Sequence, residues 1–378
     1  MLKICLLTSA HSPLDERIFH KEARTLQRAG YEVVIVAPYD HGEEIQGIRI
    51  RAVPPVVSRF DRLRRWQALY QAVLAEKPAV VHFHDPDLLP LALLLQRRRR
   101  LPVIYDVHEY YGDSLLTRYW LPKLWRKPIS RGVERFEKWA SKFFAGIITV
   151  NQHMARLFRQ VNAEVVVLHN YPLREQFPLE RPAGPKPPVV LYLGGMNRER
   201  GLEVILQAMR LVKEAHPEVE CVLVGTVDTA ELAAEFSDIQ AWLAAGNIRM
   251  RGQIPYEEVP GVLQESAIAL VPLLPTLNYQ KAIPVKLLEY MAAGLPVVGS
   301  DFGYIREIIQ KNECGRLVAP EDPAALADGI LWLLNHPAEA LRYGQRGWDA
   351  FQSEYTWEKE QEQLTALYGR ILAKGEQG

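Results

Sequence analysis

Imidazoles and carboxylates recur in this sequence at the ends of apolar runs, a pattern suited to proton handling and hydroxyl recognition. His11 and Asp15 follow KICLLT, His82, His84, Asp85 and Asp87 lie in and after AVVHFH, and Asp106, His108 and Glu109 close PVIYDVHE. One histidine in such a place is as readily a hydrogen-bonded structural group; recurrence at successive run ends argues for a shared site. A second pattern suits an anion. LGGMNRERGLEVILQAM begins with Gly194 and Gly195, where backbone can approach a phosphate, and continues through Arg198 and Arg200 into a helix with a positive amino end. It has neither the G-x-G-x-x-G spacing of a dinucleotide loop nor a G-K-[ST] ending, and a turn with a solvated charged face is the plain alternative. In PVKLLEYMAAGLPVVGS a helix starts near Pro284 and stops at Gly294, with Glu289 three residues after Lys286 on one face. A carboxylate there suits the two hydroxyls of a ribose, unless it is an ordinary exposed helix glutamate. Asp85-Pro-Asp87 has the look of a D-x-D metal pair, but a cation needs several converging oxygens and Pro86 predicts that Asp85 caps a helix. No metal site is expected. Neither a Ser-His-Asp order nor an H-E-x-x-H spacing occurs.

These groups need elements to hold them. Short β-branched runs alternate with longer amphipathic ones: KICLLT, then LDERIFHKEARTLQRAG ending at Gly30, then EVVIVAP, a βαβ opening. AVVHFH, PVIYDVH, AGIITV and EVVVLHN continue it, with helices at PDLLPLALLLQ and HMARLFRQV. FPLERPAGPKPP is too proline-rich for an element interior and reads as a stiff linker. The alternation then resumes with PVVLYLGG, ECVLVG, AIALVPL and PVVGS, separated by helices at LEVILQAMRLVKEA, ELAAEFSDIQAWLAA, VKLLEYMAAG and YIREIIQ. Two tandem parallel α/β domains are predicted, and in such sheets ligands sit at the carboxyl ends of the strands.

Composition agrees. A chain of 378 residues with 48% apolar content suits two globular domains, and cysteines only at 5, 221 and 314 form neither a disulfide framework nor a metal cluster. That usage fits a reducing cytoplasm. The amino-terminal apolar run is too short for a membrane span or a signal peptide. The zero net charge hides an asymmetry: Met1 to Gln176 holds 27 Lys+Arg against 18 Asp+Glu, leaving 18 against 27 for the rest. Basic residues cluster at Arg59 to Arg65, at Arg97 to Arg100, and between Arg118 and Lys142.

The combination of LDERIFHKEARTLQRAGYEV, VVHFHDPDLLP, VIYDVHE, VVLHNYP, LGGMNRERGLEVILQAM and PVKLLEYMAAGLPVV closely resembles the family 4 retaining glycosyltransferases of the GT-B fold. The resemblance covers nearly the whole chain. It implies an α/β architecture of two Rossmann-like domains facing each other across a cleft. The acceptor-side domain would span 1–176, a linker 177–188, the nucleotide-sugar domain 189–355, and a carboxyl-terminal helix at 356–378 would cross back to the first domain. It further implies transfer from a nucleotide sugar, UDP before GDP, with retention, without a metal or other cofactor. Arg200 matches the family's diphosphate-binding lysine, Gly194 and Gly195 its phosphate loop, and Glu289 the second glutamate of E-x7-E. His108 matches the histidine beside the transferred sugar, so His108, Arg200 and Glu289 are the implied catalytic residues. Arg198, Gly252, Pro284, Val285, Lys286 and Leu287 complete the donor contacts. His11, Asp15, His84, Asp85 and Glu109 are acceptor-side candidates.

Two positions depart from the family pattern. Lys281 stands where the first glutamate of E-x7-E belongs, and Gly195 replaces an arginine, whose charge Arg198 is long enough to supply. These departures leave a non-catalytic partner subunit open, and a nucleotide-sugar epimerase or hydrolase would use the same fold. RYWLPKLWRKPISRGVERFEKWASKFF, residues 118–144, interleaves eight basic and two acidic residues with aromatic ones, which suits an interfacial helix on an anionic cytoplasmic leaflet. A lipid-linked or cell-surface glycan acceptor follows as an expectation. Nucleic acid explains the charge less well, because no binding motif accompanies it.

Overall fold

The computed structural model describes residues 1–54, 62–117, 121–177, 180–184, 186–227, 239–245, 247–255 and 258–376. The chain divides into two compact units: Met1–Asn170 with Trp357–Gly378, and Tyr171–Thr356.

In the first unit, β1 (Lys3–Leu7), β2 (Glu32–Pro38), β3 (Glu43–Ile45), β4 (Ile48–Val53), β5 (Val80–Phe83), β6 (Val103–Val107), β7 (Gly146–Thr149) and β8 (Val165–Val167) form one sheet. Its order is β3-β4-β2-β1-β5-β6-β7-β8, parallel except where β3 meets β4. The central strands are buried on both faces, so they read as mainly apolar runs, interrupted by His82 in β5 and Asp106 in β6. The β3–β4 hairpin was not legible as strands. IRIRAV alternates buried and exposed residues, as a strand covered on one face does.

The second unit holds β9 (Val189–Leu193), β10 (Glu220–Val224), β11 (Ile248–Gly252), β12 (Ile268–Val271), β13 (Val297–Ser300) and β14 (Gly315–Val318), in order β11-β10-β9-β12-β13-β14, with every pair parallel. Alternate residues of β9 feed two cores: Leu191 and Leu193 one, Val190 and Tyr192 the other. Each buried large apolar side chain contributes about 1.5–3 kcal/mol. Edge strands β11 and β14 carry arginines and half-buried positions, so sequence periodicity misses them.

The carboxyl-terminal helix Trp357–Glu376 packs with the first unit. Trp357 Nε1 donates to Thr25 Oγ1 at 3.0 Å, and Glu360 accepts from the His169 backbone N–H at 3.1 Å. Glycine at 146 admits Leu367 and Ile371, whose methyls lie 3.2 and 3.0 Å from where a Cβ would stand.

Residues 171–176 join the second unit rather than the first, and the described residues of 177–188 also belong to that unit. Tyr171 packs on Tyr355 and Phe177 on Phe351 in the second unit's core, while Arg181 pairs with Asp349 at 2.6 Å. Pro-rich composition therefore marks a strap along the domain. Of ELAAEFSDIQAWLAA, Ile239–Ala245 is helical and residues 231–238 lie outside the described residues. The described cysteines are all buried and free.

Candidate functional site

In the first unit the loop after β1 is tied to the loop after β5. Asp85 accepts from Thr8 Oγ1 at 2.6 Å and from the Ser9 backbone N–H at 2.7 Å, and it meets His11 Nδ1 at 2.9 Å. Burial opposes the charge on Asp85, but His11, Thr8 and Ser9 hold its carboxyl well below the usual range, and the same contact raises His11. Asp85 does not cap the turn at Pro86–Leu88, contrary to expectation. Asp87 accepts from Ser9 Oγ at 2.6 Å, so both carboxylates of the D-x-D pattern brace this loop. Asp15 is the helix cap instead, accepting from the Arg17 and Ile18 amides at 2.9 and 3.2 Å.

The helix that follows is wound wide over Glu16–Ala23, with i to i+5 spacing, before tightening at Arg24–Arg28. That winding turns Arg17, Lys21 and Glu22 inward, where each is at most 3% exposed. Arg17 donates from Nε and Nη2 to Asp106 Oδ2 at 3.0 and 2.8 Å, from Nη1 to the Leu168 carbonyl at 3.2 Å, and lies 2.9 Å from Glu22 Oε1. His84 Nε2 meets Glu22 Oε2 at 2.7 Å, His82 Nδ1 meets Tyr368 Oη at 2.9 Å, and His108 Nε2 stands 3.2 Å from Asp106 Oδ1. The rings of His84 and His11 lie 5.4 and 5.9 Å from that of His108. Three of the predicted imidazoles therefore gather at one strand edge, with Glu109 exposed beside His108. Glu22, His82, His84 and Asp106 present ligand atoms within 4.8 Å of one another, a spacing compatible with a metal ion. The Arg17 guanidinium already supplies a cation to both carboxylates there.

Burial, reinforced by Asp106, raises Glu22 from the ordinary 4.5 to about 8. Between those values an unfolded chain releases the proton that the folded protein keeps. Stability contributed by Glu22 is complete at low pH and declines towards pH 8, by about 1.4 kcal/mol per unit. Thermal unfolding of wild type should therefore fall more steeply between pH 5 and 8 than that of Glu22→Gln; parallel curves would contradict the assignment.

The second unit's cluster forms where β9 ends. Gly194 has φ +118, open to glycine, and a Cβ at Gly195 would stand 2.8 Å from Arg200 Nη1. The departure at Gly195 thus has a physical reason: the Arg200 guanidinium fills that space, with Nη1 donating to the Gly195 carbonyl at 3.4 Å and Nε to Tyr279 Oη at 3.0 Å. Asn197 caps the short turn Arg198–Arg200 through the Arg200 amide, and Gly201, at φ +80, starts the helix Leu202–Ala215.

Helix Val285–Ala292 brings the second cation. Lys286 Nζ is buried with no hydrogen-bond acceptor among the described residues, 3.8 Å from the centre of the Tyr192 ring. Burial first, then repulsion by Arg200, pushes its ammonium well below the usual lysine range, with Glu289 opposing. The sequence places Lys286 on one helix face with Glu289, and the resemblance offers its backbone amide; the desolvated ammonium beside Tyr192 was not foreseen. Arg198, proposed to supply the missing charge, lines a separate hollow with Glu203, Gln207 and Glu321. Glu289 is 6% exposed rather than an open surface glutamate. Its neighbour Tyr290 fixes the helix to β9, accepting the Leu193 N–H at 2.8 Å. The helix opens after Pro284 with no side-chain cap, and the Leu287 amide turns back to the Pro284 carbonyl. Gly252 ends β11 at φ +69 and accepts the Gly225 N–H at 2.7 Å.

This architecture is that of a GT-B protein. Sucrose-phosphate synthase from Thermosynechococcus elongatus matches it with a TM-score of 0.76 over 99% of this chain and 100% of that one, at 19% identity. Anabaena HepE, solved with UDP-glucose, matches with a TM-score of 0.72 over 98% and 100%, at 13% identity. In sequence, the family described as glycosyl transferases group 1 matches residues 187–336, and the glycosyl transferase 4-like domain matches 16–172. The phosphatidyl-myo-inositol mannosyltransferase of Mycolicibacterium smegmatis is 24% identical over 369 residues, covering 93% of this chain and 89% of its own. The chain belongs to the family 4 glycosyltransferases.

Proposed function

We propose that the protein moves a hexose from a nucleoside-diphosphate sugar, UDP-linked before GDP-linked, to an acceptor hydroxyl, with retention and without a metal. The observation that carries this reading is the pair Arg200 and Lys286 beside Gly194 and Gly195. Among the described residues neither makes an ion pair, and two desolvated like charges are at ease only when an anion joins them. A diphosphate fits that demand, with Glu289 placed one turn further on for ribose hydroxyls.

Breaking the anomeric bond leaves negative charge on the departing diphosphate. Arg200, Lys286 and the amides of Val285 and Lys286 stabilise that charge, as a metal ion does in other enzymes. The departing phosphate oxygen takes the acceptor's proton, and the hydroxyl attacks from the same face, which retains configuration. His108, oriented by Asp106, is assigned to a hydroxyl of the transferred sugar. The test is NMR of the product's anomeric centre after reaction in EDTA. Retention supports the reading; inversion, or activity that returns only with a divalent metal, overturns it.

The acceptor is proposed to be a lipid-linked or surface-glycan precursor met at a cytoplasmic membrane face. The name of the mannosyltransferase relative, which refers to phosphatidyl-myo-inositol, supports a lipid-linked acceptor. Helix Lys123–Ser141 exposes Leu124, Trp125, Ile129, Phe136 and Trp139 among Lys123, Lys127, Arg131 and Arg135, and Arg97 lies over the Trp139 ring at 5.3 Å. Arg118 to Trp120, part of the predicted segment, lie outside the described residues, as does Arg59. Among the described residues no helix is long and apolar enough to cross a membrane. At about 1 kcal/mol per basic residue, Lys123→Ala, Lys127→Ala and Arg131→Ala together should weaken binding to anionic vesicles roughly a hundredfold; unchanged co-sedimentation would remove the membrane contact.

A further inference from the structure

A second cavity lies in the donor unit at the opposite edge of its sheet. Pro188, Ala267 and Pro296 line it, and each directly precedes the first residue of one of the parallel strands β9, β12 and β13. The anion cluster at Gly194 and Arg200 follows the carboxyl end of β9. The hollow measures about 160 Å³, and its other walls are mainly apolar, including Leu333, Leu334 and Leu341. An apolar space of about 150 Å³ holds a molecule the size of benzene.

Among the described residues the one ionisable group on its lining is Lys186. Its ammonium has three protons to donate. Two long hydrogen bonds use the Leu263 and Ala293 carbonyls, at 3.3 and 3.4 Å, and the third proton has no acceptor among the described residues. Among the described residues no carboxylate pairs with it, and burial pushes Lys186 down to about 8. A cation on the lining of a mainly apolar hollow, with a donor to spare, calls for an amphipathic anion.

We propose that this hollow binds a small monocarboxylate whose apolar part is about the size of a benzene ring, with the carboxylate taking the third Lys186 proton. The apolar walls exclude sugars and phosphates, which would leave polar groups unpaired against proline and leucine. The site is separate from the sugar-donor cluster and does not depend on the transferase reading. Ala293 caps the helix that carries Lys286 and Glu289, so Lys186 also closes the carboxyl end of that helix.

Calorimetric titration of the full chain with benzoate and with benzyl alcohol, at pH 8.5 in two buffers of different ionisation enthalpy, tests this. Expected are saturable benzoate binding, uptake of part of a proton as Lys186 regains its charge, and weaker binding of the alcohol. Lys186→Met should lose roughly ten- to hundredfold in benzoate affinity, and Lys186→Arg should retain most of it. No benzoate binding at millimolar concentration, equal binding of the alcohol, or an unchanged affinity in Lys186→Met would each overturn the proposal. Should Lys186→Met fail to fold, proton uptake by the wild type decides: its absence overturns the proposal.

Discussion

Replacing Arg200 by methionine is expected to lower transfer about 10²–10³-fold, the cost of removing one preorganised donor from a developing oxyanion. The arginine is seated by the Gly195 carbonyl and by Tyr279, and the space above Gly195 exists only because residue 195 lacks a Cβ. Methionine keeps the length and loses the charge. Binding of a nucleoside diphosphate should weaken less than turnover, because charge on the diphosphate grows as the anomeric bond breaks. Lys286 should then regain part of its basicity, since Arg200 is one of the groups that depress it. Equal losses in binding and turnover would make Arg200 an anchor only. Unchanged kinetics would remove it from the site.

The second large effect concerns stability. Asp106→Asn removes the carboxylate that accepts two of the Arg17 hydrogen bonds, and breaking a buried ion pair on one side typically costs about 3–5 kcal/mol, less what Glu22 recovers by ionising once the Asp106 charge that helps keep it protonated is gone. For a unit of this size that corresponds to a fall of roughly 10 °C in melting temperature. Arg17→Met combined with Asp106→Leu should recover part of the loss, because no charge then remains unpaired. Asp106 also orients His108 at 3.2 Å, so kcat should fall below the melting transition while KM for the donor stays close to wild type. A melting temperature within a degree or two of wild type would show that Arg17 does not depend on Asp106.

The residues made some of this legible and concealed the rest. Central strands such as VVLYL and VIYDV are buried on both faces and mainly apolar, and announce themselves; IRIRAV and IRMRG, with arginines facing solvent, do not. LDERIFHKEA reads as a surface helix because its charges outnumber its apolar residues. Nothing local reveals that a widened turn points Arg17 and Glu22 at Asp106, which lies 89 residues from Arg17. The histidines were found by their place after strands, where the topology of a parallel sheet gathers side chains from distant segments. Asp15 and Asp87 share that placement yet serve the backbone and Ser9, since position alone does not tell a ligand from a cap. Lys286 was assigned by its amide because desolvation of its ammonium depends on Tyr192 and Arg200, both remote in sequence.

The central claim is that the second unit holds a nucleoside diphosphate at Arg200 and Lys286. The direct measurement is the thermal transition of the full chain with UDP, UMP, uridine, GDP and the corresponding sugar conjugates, with Lys286→Met run in parallel. A ligand at a hundred times its dissociation constant stabilises the folded state by about 2.7 kcal/mol. The account predicts a clear upward shift with UDP, a smaller one with UMP, none with uridine, a further rise with one sugar conjugate, and loss of most of the shift in Lys286→Met. If no diphosphate or sugar conjugate moves the transition at millimolar concentration, or if Lys286→Met responds as the wild type does, the claim is wrong.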